Sequence, residues 1–222
     1  INKHNINKKI ISLHVRDDGF YGFKSYRSCE IDTYKKTISN LLKKNFIVIR
    51  FVNESSKELN FDNKNYLELT TRNEDEKILQ YLIIKNSFLC ISTLGGPMSF
   101  NFITNTPFLI TNLIPLSISG ATKNKDQYIL KKYYSNNEKR FLNLKEVFEK
   151  KLYLYPNLCK KFNIQIIDNT EEEIFLATNE IINEIFNNNF LPNQYQLDFL
   201  KDLKDRHSIC FSDANVSKTF KL

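Results

Sequence analysis

The chain of 222 residues is 41% apolar and 26% charged, with a formal charge of +7 and a pI near 9.1. That length suits one well-buried core and is short for two nucleotide-binding-type domains side by side, and the proportions are those of a soluble globular protein. No apolar run approaches the roughly 18–20 residues of a membrane-spanning helix, and the Asn- and Lys-rich start lacks the apolar core of a signal peptide, so neither a helical membrane protein nor a secreted one is expected.

The positive charge suits an anionic partner. Its lysines come in scattered pairs such as Lys35-Lys36, Lys43-Lys44 and Lys160-Lys161, the pattern of a solvated surface. With no arginine-rich helix or RNP-like aromatic strand beside them, nucleic acid is not the expected partner. Cys29, Cys90, Cys159 and Cys210 are far apart, with no C-x-x-C pair and no histidine at ligand spacing; no metal site or redox dithiol is expected, and a reduced, cytoplasmic protein is. Cys90, inside the apolar run 88–91, reads as a core thiol. The chain opens on Ile1, which reads as a piece of a longer protein lacking an N-terminal partner domain.

In chain order, the β-branched run at 10–15 predicts a buried parallel strand ending at the polar cluster Arg16-Asp17-Asp18-Gly19. Asp32 predicts the cap of a helix to about 45, with Ile38, Leu41 and Leu42 on one face, and residues 46–52 predict a second strand. A polar loop over 53–65 leads to a short extended piece at 67–70. Asn73 then caps an acidic first turn, Glu74-Asp75-Glu76, before Ile78, Leu79, Leu82 and Ile83 recur at helical spacing. A third strand at 88–92 runs into Thr93-Leu94-Gly95-Gly96-Pro97, a glycine-rich turn whose proline suits a helix start, and a short helix is predicted over 98–104. A fourth strand follows at 107–111, then a polar loop over 116–126 that is a candidate lid.

Asn143 predicts a cap for a helix over 144–151, and residues 164–167 predict a fifth strand. Thr170 and Glu173 form a capping box for a helix to about 186, with Ile174, Ala177, Ile181, Ile182 and Ile185 as its buried stripe; a last helix spans 192–206 and the tail frays. Strands alternating with helices predict an α/β fold, a doubly wound, Rossmann-like parallel sheet covered on both faces, over residues 1–189, with a C-terminal helix and tail over 190–222.

Ligands of such sheets bind beyond the carboxyl ends of the strands. His14-Val15-Arg16-Asp17, Thr93 with Gly95-Gly96, and Thr111-Asn112 all fall on that edge. Backbone N–H groups at the glycine turn can meet a diphosphate, and Arg16 can clamp it with a fork of donors. His14 alternates with Leu13 and Val15 and reads equally as a core histidine; Arg50, inside the second strand, reads as the partner of Asp17 or Asp18.

In this order the motifs resemble a bacterial family of glycosyltransferases, and more distantly fucosyltransferase-like enzymes. The residues that carry the resemblance are the H-x-R-D strand end, His14 to Asp17; the glycine-aromatic step Gly19-Phe20-Tyr21-Gly22; and Tyr26-Arg27, followed by Asp32 and Tyr34. The turn 92–96, the proline-led strand 107–112 ending Thr111-Asn112, Pro115, Asp126 with Lys131, and the helix start Asp168-Asn169-Thr170 with Glu172 and Glu173 complete it. The chain departs from it where Asp17 replaces the second arginine of the fucosyltransferase-like signature and where Leu94-Gly95 replaces the Asn-Ser of the family's turn.

The resemblance implies the C-terminal, donor-binding half of a two-domain GT-B-type glycosyltransferase that needs no obligatory metal or cofactor and takes a nucleoside diphosphate sugar as donor. It implies donor-binding roles for Tyr26, Arg27, Thr93, Gly95, Gly96, Asn112 and Lys131, and catalytic roles for Arg16, Asp17 and His14; the general base is left open among Asp17, Asp18, His14 and a residue of a partner domain. Asp17 is expected to orient Arg16 or Arg27, or to touch sugar hydroxyls. The acceptor is expected to be a glycan or a lipid-linked one, in the cytoplasm or at the inner face of the membrane through peripheral association. The rival reading is a binding module for a nucleotide or glycan that keeps the crevice without catalysis.

Overall fold

Apolar runs without alternation need cover on both faces, and the strands built from them lie in the middle of one parallel sheet. The computed structural model describes residues 8–17, 25–70, 73–117, 121–206 and 213–221. In chain order its strands are β1 (Ile10–His14), β2 (Ile47–Val52), β3 (Tyr66–Thr70), β4 (Leu89–Ser92), β5 (Phe108–Leu113), β6 (Gln127–Leu130), β7 (Lys132–Ser135), β8 (Arg140–Phe141), β9 (Ile164–Ile167) and β10 (Asn215–Val216). Seven of them form the central sheet in the order β10-β6-β5-β4-β1-β2-β3, every recorded pairing parallel. The first six follow the order 3-2-1-4-5-6 of doubly wound Rossmann-like sheets, with the direction of travel reversing between β1 and β4. His14 stands level with Phe51 on β2 and with Ser92 on β4, so three carboxyl ends meet there. β4, β5 and β6 are buried along their whole length, and the edge strand β3 is the most exposed of the first six.

The helices are α1 (Lys35–Lys43), α2 (Glu74–Lys85), α3 (Leu144–Glu149), α4 (Glu171–Asn187) and α5 (Gln194–Arg206). α1 and α4 pack together, α4 also covering β5 and β6, while α2 packs against β1 and the segment after β4. Right-handed crossovers that travel in opposite directions place α1 and α2 on opposite faces of the sheet. The capping boxes of Asn73 with Glu76, Asn143 with Glu146 and Thr170 with Glu173 start α2, α3 and α4 at their expected residues. Cys90 is fully buried, which pushes its thiol up to about 12. Among the described residues no helix is long and apolar enough to cross a membrane.

Five local expectations change. Asp32 caps no helix: it lies in a 3-10 turn, Ile31–Tyr34, and its pairing with Lys35 and Lys57 holds its carboxyl near 2. Residues 164–167 form β9 outside the parallel sheet, antiparallel to β7 in a small sheet β8-β7-β9; β7 alternates half-buried and buried positions, as a strand with one covered face does. The helix expected over 98–104 is a 3-10 segment, Gly96–Phe102. On α2 the apolar Ile78, Leu79 and Leu82 face outward, 57%, 46% and 45% exposed, whereas Gln80 and Ile84 face inward. The tail is anchored, because β10 extends the sheet beside β6 and Phe220 is 1% exposed.

The candidate lid is tied down wherever it is described. The Asp126 carboxylate, fully buried, accepts from the N–H groups of Phe108, Thr122 and Lys123 and from the Asn101 amide. Lys123 Nζ donates to the carbonyls of Asn101, Thr104 and Thr106.

A frayed tail would contribute nothing to stability, whereas the anchored one makes Phe220 part of the core. Phe220→Ala is expected to cost about 3–5 kcal/mol, read by urea unfolding; an unchanged midpoint would show that the tail is detached in solution.

Candidate functional site

The reversal between β1 and β4 opens a cavity of about 320 Å³ above the carboxyl ends of the sheet. His14, Val15, Arg16 and Asp17 leave β1 into its wall; Phe51, Val52, Asn53 and Ser56 enter from the end of β2. Lys77 and Gln80 reach it from α2, and Gly95, Gly96, Pro97 and Phe100 from the turn after β4. The turn is stitched to β1 by the Arg16 N–H, which donates to Thr93 Oγ1 at 2.8 Å, and by the Thr93 N–H, which donates to the His14 carbonyl at 3.0 Å.

His14 makes a long contact, 3.4 Å, from Nδ1 to Ser92 Oγ. The Ser92 hydroxyl already donates to the Thr93 carbonyl at 2.8 Å, so its remaining role toward the ring is acceptor. That assigns the imidazole proton to Nδ1 and leaves Nε2 with a lone pair. Burial, then the charges of Arg16 and Arg50, lower the imidazole pKa from 6.5 to about 4, so the ring is neutral at physiological pH. Gly95 is required by the ring: a Cβ there would come within 2.8 Å of His14 Cε1. A Cβ on Gly96 meets nothing within 4 Å.

Asp17, 7% exposed, is committed to the fold. Its carboxylate faces Arg50 Nη2 at 3.3 Å and accepts from the Lys57 N–H at 3.1 Å and, more weakly, from Ser56 Oγ at 3.5 Å. Arg50, fully buried, also donates to Glu68 on β3 at 2.7 Å and to the Lys57 carbonyl at 2.8 Å. Of the alternatives open for Arg50, the partner is Asp17. The bonds recorded for the Asp17 carboxylate run to Arg50 and the 53–57 loop, not to Arg16 or Arg27.

The remaining sequence candidates gather on the other side of the β1 exit. Asn112 sits at positive φ, 52°, and exchanges hydrogen bonds with Asn169: each side-chain oxygen accepts the other's backbone N–H, at 2.6 and 2.7 Å. Asn112 Nδ2 also donates to Tyr34 Oη at 3.2 Å. Lys131, 2% exposed, donates to Asp168 and to the Ser28 carbonyl, both at 2.6 Å. Arg27 lies over the ring of its neighbour Tyr26, its centre 5.7 Å from the centroid. Tyr26, Arg27, Asn112 and Lys131 therefore do not line the cavity, while His14, Arg16, Asp17, Gly95 and Gly96 do and Thr93 braces it. Asp18, Gly19, Phe20, Tyr21, Gly22 and Cys210 lie outside the described residues.

Phe51, Asn53, Ser56, Lys77, Gln80 and Phe100 were not singled out by the sequence. Lys77, Gln80 and Ile84 fall at i, i+3 and i+7, one helix face, and that spacing was the available signal. Among the described residues no group of three or more His, Cys, Asp or Glu is placed to hold a metal ion.

The fold and site thus define an α/β protein with a Rossmann-like strand order and a cavity at its switch point whose wall carries Arg16, Asp17 and Lys77. No family model, curated protein or solved structure matches the chain.

Two outcomes test this geometry. Gly95→Ala crowds the His14 ring and is expected to cost about 1–3 kcal/mol, while Gly96→Ala stays within about 0.5 kcal/mol; equal unfolding midpoints would contradict the contact. Because the unfolded chain takes up a proton at His14 near pH 6.5 and the native chain only near 4, stability is full above pH 6.5 and falls as the pH drops toward 4. The loss is at most roughly 3.5 kcal/mol, at ~1.4 kcal/mol per pKa unit. Unfolding curves across that range should diverge from those of His14→Gln, and parallel curves would refute the assignment.

Proposed function

We propose that the chain is the donor-binding domain of a glycosyltransferase, holding a nucleoside diphosphate sugar in the cavity at the ends of β1, β2 and β4. The observation that carries the reading is the position of Arg16: a buried guanidinium in the wall of a cavity at the topological switch point, beside the glycine turn. Lys77 also lines the cavity, its ammonium paired with Glu74 Oε1 at 2.6 Å. In such a site the diphosphate lies against Arg16, and as the bond between the sugar carbon and the diphosphate oxygen breaks, the electron pair goes to that oxygen. Fixed positive charge close by stabilises the leaving group more as its charge grows, which favours the transition state over the bound donor.

The acceptor hydroxyl must also lose a proton. Asp17 is engaged by Arg50, which suits it to shaping the wall rather than to carrying protons. His14 is neutral at physiological pH and carries a lone pair on Nε2, so it can accept a hydrogen bond from a hydroxyl, but its low affinity for protons makes it a weak base. The same two observations favour, as a second reading, a module that binds the donor without turning it over. On the first reading the acceptor is a glycan or lipid-linked hydroxyl compound.

Calorimetric titration with a panel of nucleoside diphosphates and their sugars is expected to find selective binding of one base. Arg16→Ala should lose about 1.5–3 kcal/mol of it, the worth of a hydrogen bond to a charged group. Equal affinity of wild type and variant would overturn the assignment of Arg16. Binding without transfer or donor hydrolysis would select the second reading.

A further inference from the structure

Gln80 stands in the middle of α2, a position where an inward-facing side chain is normally apolar. The helix inverts that pattern, keeping Ile78, Leu79 and Leu82 in solvent and turning Gln80, 6% exposed, into the cavity. Among the described residues its amide has no hydrogen-bonding partner. Several other buried amides are tied at one end or both: Asn112 and Asn169 to each other, Gln196 to the Val216 carbonyl, and the Gln127 nitrogen to Glu180 and Glu184, its oxygen accepting nothing among the described residues. Its amide atoms are not among the fully enclosed polar atoms that lack a partner, so they open into the cavity, where a leucine or methionine would offer an entering group no hydrogen bond. The group is therefore placed for something that enters the cavity.

The chemistry of the surroundings narrows what enters. Phe51 and Phe100 line the same cavity with aromatic surface, and Asn53 and Ser56 add neutral polar groups. The primary amide offers one donor side by side with one acceptor in a single plane. Planar heterocycles present the complement of that pair, an N–H or amino group next to a carbonyl or ring nitrogen, and bidentate pairing of Gln with a base edge follows the same geometry. Sugar hydroxyls are not confined to a plane and do not require flat apolar walls.

Building on the donor-site reading, we propose that Gln80 is the base-recognition residue of the cavity, its side-chain amide pairing with the hydrogen-bonding edge of the donor's nucleobase. The base lies toward Phe51 and Phe100, and the diphosphate toward Arg16.

Three probes separate the parts of such a ligand: inorganic pyrophosphate, the best-binding nucleoside diphosphate, and its sugar conjugate. Each is titrated into wild type, Gln80→Met and Arg16→Ala, with thermal unfolding of all three proteins. The expected result is that Gln80→Met weakens the nucleoside diphosphate and its sugar conjugate alike, tenfold or more, leaves pyrophosphate affinity unchanged, and leaves the unfolding temperature unchanged or raised. Arg16→Ala should weaken all three ligands. Loss confined to the sugar conjugate would overturn the inference and assign Gln80 to the sugar, with the donor site itself intact. A lowered unfolding temperature together with weaker pyrophosphate binding would overturn it in favour of a structural role. Absence of any nucleoside diphosphate binding to wild type would overturn the donor-site reading and this inference with it.

Discussion

The guanidinium of Arg50 is the constraint on which the working edge of the sheet depends. It sits in the middle of a strand, with no exposure to water, in register with Glu68 on the neighbouring strand and within reach of Asp17 at the exit of β1. A charge so placed must be matched by other charges and by carbonyl oxygens, and the match here comes from three separate segments. No helix connects β2 to β3; the connecting loop is held instead by the Lys57 carbonyl on Arg50 and the Lys57 N–H on Asp17. Glu68 is itself satisfied further by Tyr66 Oη at 2.6 Å and the Leu59 N–H at 3.3 Å. One buried cation thereby sets the wall of the cavity that faces Phe51, Asn53 and Ser56.

The polar residues of the sheet's carboxyl edge divide into two groups of opposite character. Around Tyr34, Thr111, Asn112, Asn169, Lys131 and Asp168, donors and acceptors meet one another, with Tyr34 Oη 2.6 Å from Thr111 Oγ1 and its phenol held well above its ordinary range by burial. That network closes the junction between β5, β6 and the start of α4 and gives the fold its specificity. In the cavity the pattern differs: an imidazole ring kept neutral, an amide without a partner among the described residues, and aromatic side chains in the wall. Saturated polar clusters rigidify a fold, and incompletely used polar groups in a concave site are where a ligand adds to stability.

α2 connects these observations. Its inward face carries Lys77 and Gln80 toward the cavity and Ile84 into the core, while three large apolar residues remain outside. A helix optimised for stability alone would be turned the other way. The inversion is what brings Lys77 and Gln80 to the switch point, and it leaves the position of the helix to be set by the packing of Ile84 and of Tyr81 against Phe100, ring centroids 5.5 Å apart.

The sequence by itself determined the parallel α/β core, because continuous β-branched runs need cover on both faces and because at Asn73, Asn143 and Thr170 a cap residue followed three positions later by a carboxylate stands before a helical apolar pattern. It also located the cavity's β1 and glycine-turn walls, since in such sheets residues just past a strand's carboxyl end must lie at the working edge. Local patterns could not tell that 164–167 pairs antiparallel in a separate sheet, that the last residues return to the edge beside β6, or which face of α2 is buried. Those outcomes are settled by contacts between segments far apart in the chain, such as Arg50 with Asp17 and Glu68, or Asn112 with Asn169. The tertiary structure alone decided that Asn112 and Lys131 serve the fold while Lys77 and Gln80 meet in the cavity: whether a polar side chain is satisfied depends on which distant partners reach it, and no spacing along the chain encodes that.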